Sequence, residues 1–158
     1  MSLGVPSPDE LAIAHRLHHL VTQCSRGLDR GDTQLVRDCF HAGADVPTID
    51  GNSDGGGTTQ HVVTNHLLLG IRGDVAATET YWQHRAIGGD GALVESFGRY
   101  LDRFERRAGQ WRIAERVTIT DSTPGARRGE NDPSFALAAE VEPEGAHGGG
   151  VHVDGVVA

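Results

Sequence analysis

Basic charge is in short supply. Lys and Arg number 14 against 22 Asp and Glu, which leaves a formal charge of −8. Phosphate backbones are bound by basic surfaces, so nucleic acid is not expected as a partner. No stretch approaches the roughly 20 consecutive apolar residues of a membrane span, so a membrane is not expected either. Met1-Ser2-Leu3-Gly4 lacks the basic and apolar regions of a signal peptide, and a cytoplasmic location is expected. Cysteine is limited to Cys24 and Cys39, both inside helical patterns with apolar neighbours, so buried free thiols are expected. There is no glycine-rich phosphate cradle before a helix and no serine or cysteine nucleophile motif. Neither a cofactor nor a metal is expected.

What is present suits one domain: 158 residues are enough for a full hydrophobic core. The central stretch is Gln60–Leu69, a β-branched apolar run with two histidines and an asparagine set into it. On a regular strand His61, Val63, Asn65, Leu67 and Leu69 share one face, and His66 turns to the other unless a bulge intervenes. An imidazole buried among aliphatic residues without a partner costs about 1–3 kcal/mol. His61 therefore calls for a partner, and the candidate is Asp29.

Asp29 sits at the end of a well-marked helix. Ser7-Pro8-Asp9-Glu10 combines a capping serine, a proline suited to the first turn and a glutamate that can reach back. Ile13, Leu17, Leu20, Cys24 and Leu28 recur at helical spacing, and Asp29 lies beside that stripe. Gly31 ends the helix and Asp32 caps a short second one. His15, His18 and His19 lie within one turn of each other, a spacing compatible with a metal, although no cysteine or carboxylate set accompanies them. Val46-Pro47-Thr48-Ile49 reads as a short edge strand. The glycine loop at 51–57 lacks the glutamate that closes a calcium loop.

From residue 58 onward, four long strands with short glycine-bearing turns predict antiparallel hairpins: Thr59–Leu69, Val75–Ile87, Ala92–Arg106 and Trp111–Thr120. Two helices followed by four such strands predict an α+β domain over 1–121, its curved antiparallel sheet carrying the N-terminal helices on its concave face. The Gly- and Pro-rich tail 122–158 is expected to be mobile or to wrap the surface.

Four pieces in this order resemble the SnoaL-like branch of the nuclear transport factor two-like superfamily. They are Gly27-Leu28-Asp29-Arg30-Gly31-Asp32, His61-Val62-Val63-Thr64-Asn65, Gly98-Arg99-Tyr100-Leu101-Asp102-Arg103-Phe104 and Gly109-Gln110-Trp111-Arg112-Ile113-Ala114-Glu115-Arg116. The resemblance covers roughly 8–121 and implies a cone-shaped α+β domain. It is nearest to scytalone dehydratase and lindane dehydrochlorinase, which use an Asp–His dyad at the positions of Asp29 and His61. It further implies an anion-stabilising role for Arg116 and a second histidine at His84. Cys24 stands where the dehydrochlorinase carries a catalytic lysine, and the segment between Asp29 and His61 is short for the branch.

The chemistry follows from those residues. Asp29 would fix the tautomer of His61, and His61 would remove a proton α to a carbonyl, a contribution of ~10²–10⁴-fold. Tyr100 would hydrogen-bond the substrate oxygen, Trp82 would supply a flat wall, and His84, Cys24 and Asn65 would complete the lining. The reading is a cofactor-independent lyase or isomerase, dehydratase- or cyclase-like, acting on a small hydrophobic molecule and working as a homodimer. The alternatives are a buried structural Asp29–His61 pair, an Arg116 that bridges to Glu115 or Asp102, and a non-catalytic ligand-binding or accessory-subunit module.

Overall fold

The computed structural model describes residues 6–47, 58–122 and 133–141. Helix α1 spans Pro8–Arg30 and begins with a complete capping box: Ser7 Oγ accepts from the Glu10 amide, and the Glu10 carboxylate accepts from the Ser7 amide. It stops at Gly31, whose φ of 66° is the left-handed conformation that glycine adopts without a Cβ penalty. Helix α2, Thr33–Asp38, is capped by Asp32. The two helices meet where Gly27 has no side chain, since a Cβ there would come within 2.7 Å of Val36 Cγ2.

Strands β1 (Thr58–Arg72), β2 (Val75–Ile87), β3 (Leu93–Arg107) and β4 (Gln110–Thr120) form one antiparallel sheet in the order β1-β2-β3-β4. The sheet is curved and α1 packs on its concave face, which is the expected α+β cone. Leu17, Leu20, Val21 and Cys24 of α1 are buried against Trp82, Tyr100, Phe104 and Ile113 of the sheet. After α2, the chain reaches the free edge of β4. There Phe40 bridges to Ile113, whose carbonyl accepts from the His41 amide and whose amide donates to the Cys39 carbonyl. The helical layer thus runs from β1 to the far edge of the sheet.

One irregularity decides the inner face. The β1–β2 register slips between Thr64 and Leu67, and Asn65 takes φ 48°. The bulge interrupts the alternation that would have put Asn65 beside His61. Asn65 is exposed, and His66 takes the inward place, where its Nδ1 lies 2.7 Å from Thr80 Oγ1. Leu67, expected on the His61 face, is also exposed.

Within the tail, Pro133–Val141 forms helix α3. It lies on the outer face, beside Leu101, Arg103, Glu115 and Val117, with Val141 buried against Gly70. The remainder of the expected tail, and Thr48-Ile49 of the expected edge strand, lie outside the described residues. Val46 and Pro47 have no regular structure.

Candidate acid/base site

Helix α1 descends against β1 in the opposite direction. Its His18 ring stacks on His66 at 4.9 Å, and its Asp29 bonds His61. The climb from residue 18 to 29 of a helix covers about 16 Å, and the run from residue 66 to 61 of a strand covers about the same length. That match of rises brings Asp29 level with His61.

There the Asp29 carboxylate takes two groups of one residue. The His61 amide donates to both carboxylate oxygens at 2.9 Å, and His61 Nδ1 lies 2.6 Å from Oδ1. With the proton on Nδ1, the ring donates to Asp29, and Nε2 keeps its lone pair. The side chains are 14% and 21% exposed, so the pair is shielded but reachable. His84, opposite His61 in the register, packs its ring at 4.6 Å, and its Nε2 lies 2.7 Å from Thr59 Oγ1. Burial, and then the neighbouring His61, push His84 below the ordinary imidazole value, so it is a neutral neighbour near pH 7.

Arg116 lies elsewhere in the hydrogen-bond network. Its Nε and Nη2 bond Asp102 at 2.6 and 2.7 Å, and its Nη1 points to Cys24 Sγ at 3.6 Å. The guanidinium covers the Tyr100 ring at 4.1 Å from its centroid. Arg116 and Asp102 side chains are 3% and 0% exposed. The bridge to Asp102, one of the two arrangements open from sequence, is therefore the one formed. Burial pushes Tyr100 up to about 12, so it keeps its proton. The Cys39 thiol, followed by Arg116, draws Cys24 below the usual thiol range in spite of its burial.

Trp82 stacks on Tyr100 at 5.7 Å. The indole passes over Gly98, where an added Cβ would come within 2.9 Å of Trp82 Cζ2 and 1.9 Å of the Ile119 carbonyl oxygen. Ser25 and His66 are inward-facing groups that sequence reasoning missed. The serine is hidden because its neighbours in the stripe are apolar, and His66 because a bulge cannot be read from alternation. Among the described residues, no group of three or more His, Cys, Asp or Glu is placed to hold a metal, and His15, His18 and His19 are exposed. No helix among them is long and apolar enough to cross a membrane.

The helix-backed, curved four-stranded antiparallel sheet has the α+β cone fold of NTF2-like structures. Residues 46–117 match the family model of the SnoaL-like domain. Solved structures agree on the fold. The protein Rv3472 of Mycobacterium tuberculosis, of unknown function and solved as an aspartate-to-asparagine variant, is 22% identical with a TM-score of 0.62, over 87% of this chain and 96% of that one. A candidate scytalone dehydratase of Novosphingobium aromaticivorans is 16% identical with a TM-score of 0.64, over 75% and 91%. The beta subunit of a candidate aromatic-ring-hydroxylating dioxygenase from the same organism is 15% identical with a TM-score of 0.60, over 73% and 94%. No curated protein matches the sequence significantly.

Proposed function

We propose that the protein is a cofactor-independent lyase or isomerase in which Asp29 and His61 form the acid/base pair. The observation that carries this reading is the double grip of Asp29 on His61, through its amide and through Nδ1. The grip holds the ring in one tautomer and one orientation, which is what a positioned general base requires. Nε2 then takes a proton α to a carbonyl and returns it to another atom of the same substrate. His84 flanks the ring, and Tyr100 offers a protonated hydroxyl deeper in the cone. Arg116 keeps Tyr100 and Cys24 in place through its pair with Asp102; it is a positioning residue in this scheme. The fold likeness to a candidate scytalone dehydratase supports the same class of reaction.

The test is deuterium incorporation from heavy water into ketones bearing α-protons. His61→Ala is expected to lose ~10²–10⁴-fold in exchange rate while it stays folded. A folded His61→Ala variant that exchanges at the wild-type rate removes the reading.

A second reading, a non-catalytic accessory subunit, draws on the outer face. Phe97, Leu67 and Val117 are 51%, 49% and 41% exposed there, an apolar surface that a larger protein or a second copy would cover. The fold likeness to a dioxygenase beta subunit supports it. This reading expects a stable complex that survives His61→Ala.

A further inference from the structure

Among the described residues, four buried side-chain atoms lack a hydrogen-bond partner: Ser25 Oγ, His66 Nε2, Thr78 Oγ1 and Trp82 Nε1. All four lie between the sheet and α1. Trp82 and Thr78 share the inner face of β2, His66 is turned inward by the bulge, and Ser25 is on the helix that covers them. Buried polar groups in a finished core are paired, because an unpaired one costs roughly 1–3 kcal/mol. These four unpaired groups behind the Asp–His pair mark hydrogen bonds that the protein itself leaves unmade.

Trp82 is the most informative of the four. An indole N–H is a donor and nothing else, so only an acceptor satisfies it. The ring cannot turn to find one within the protein, since it lies over Gly98 and is stacked on Tyr100. Its strand partner across β1 is Val63, two residues inward of His61. On α1, Ser25 is one helical turn inward of Asp29. One turn of helix and two residues of strand both advance about 6 Å, so Ser25 and Trp82 stand at one depth, just behind the Asp29–His61 pair.

We infer that this interior binds an oxygenated ligand, a ketone or a related carbonyl compound, whose oxygen accepts the N–H of Trp82 while Ser25 offers a second contact at the same depth. The inference rests on the acid/base reading and deepens it, for it names the group the substrate must carry beside the carbon that His61 deprotonates. A carbonyl oxygen bonded to a fixed N–H also gathers the charge that an enolate develops, so one contact serves binding and reaction.

Acetophenone and ethylbenzene separate the oxygen from the hydrocarbon, being close in shape. The chain has two tryptophans, so Trp82→Phe assigns the Trp82 indole N–H signal in a ¹⁵N-labelled protein. Acetophenone is expected to shift that signal downfield, and ethylbenzene is not. Trp82→Phe is expected to weaken acetophenone binding roughly tenfold, and Ser25→Ala by a smaller factor, with ethylbenzene affinity unchanged. Trp82→Phe also removes packed core volume, so its thermal midpoint is expected to fall and the N–H assignment is read from the titrations alone. Equal shifts from both compounds, or no acetophenone binding at millimolar concentration, would overturn the inference. Should Trp82→Phe fail to fold, the wild-type titration and Ser25→Ala decide by the same criteria. Binding that shifts the indole signal without deuterium exchange at the methyl group would count against the acid/base reading and spare this one. Exchange that depends on His61 but leaves the Trp82 signal unmoved would do the reverse.

Discussion

Two carboxylates of this domain each hold a basic side chain, and they do it at opposite degrees of burial. At the end of α1 Asp29 holds His61, with both partly exposed. Deeper in, Asp102 holds Arg116 through two nitrogens, with both sealed. The exposed pair engages one ring nitrogen, and in the proposed reading the other meets the substrate. The sealed pair spends its strongest donors on each other, on Cys24 and on the Tyr100 ring. Similar ion-pair chemistry is thus left accessible in one place and closed on itself in the other.

The sharpest way to break this comparison is at the open pair. His61→Ala should cost 10²–10⁴-fold in α-proton exchange, about 3–5 kcal/mol of barrier, with little change in thermal midpoint. The sealed pair should behave the other way round. Asp102→Ala strands a buried guanidinium and should lower unfolding free energy by about 3–5 kcal/mol in urea titrations. Replacing both partners, Asp102→Leu with Arg116→Met, should recover most of that loss. A double variant no better than Asp102→Ala would mean that the pair does more than satisfy itself.

His66 adds a smaller, pH-dependent effect. Burial, and then His18, push its ring down to about 4, while the unfolded ring titrates near 6.5. Between those values the unfolded chain binds a proton that the folded one refuses. The stability is full above about pH 6.5 and is lost as pH falls toward 4, by about 2 kcal/mol. His66→Gln should flatten the fall in thermal midpoint between pH 7 and 4.5; an unchanged slope would assign the acid sensitivity elsewhere. The smallest effect is expected at Ser7→Ala, which removes the α1 cap and should cost about 1 kcal/mol without altering exchange at the distant dyad.

Much of this was legible beforehand because it rests on local signals. The capping box at Ser7, the apolar stripe of α1 and the glycine-bearing hairpins each report a short-range preference, and the elements formed close to the expected bounds. Asp29 and His61 could be paired in advance because a polar ring in an apolar strand demands a partner. Asn65 shows where such reasoning stops. A regular strand was assumed, and a single residue at positive φ exchanged Asn65 for His66 on the inner face. In the tail, composition left mobile and surface-wrapping arrangements open, and the helix Pro133–Val141, which buries Val141 against Gly70, is a detail it did not give.

The sequence by itself determined the elements, their order and the need for a partner at His61, since caps, periodicity and turn residues act over a few positions of chain. Only the tertiary structure decided that Arg116 would close on Asp102, that His66 would face inward and that Trp82 would lie locked over Gly98 with its N–H unpaired. Those outcomes depend on strand register and on the depth of α1 along β1, which are set by packing between residues far apart in the chain.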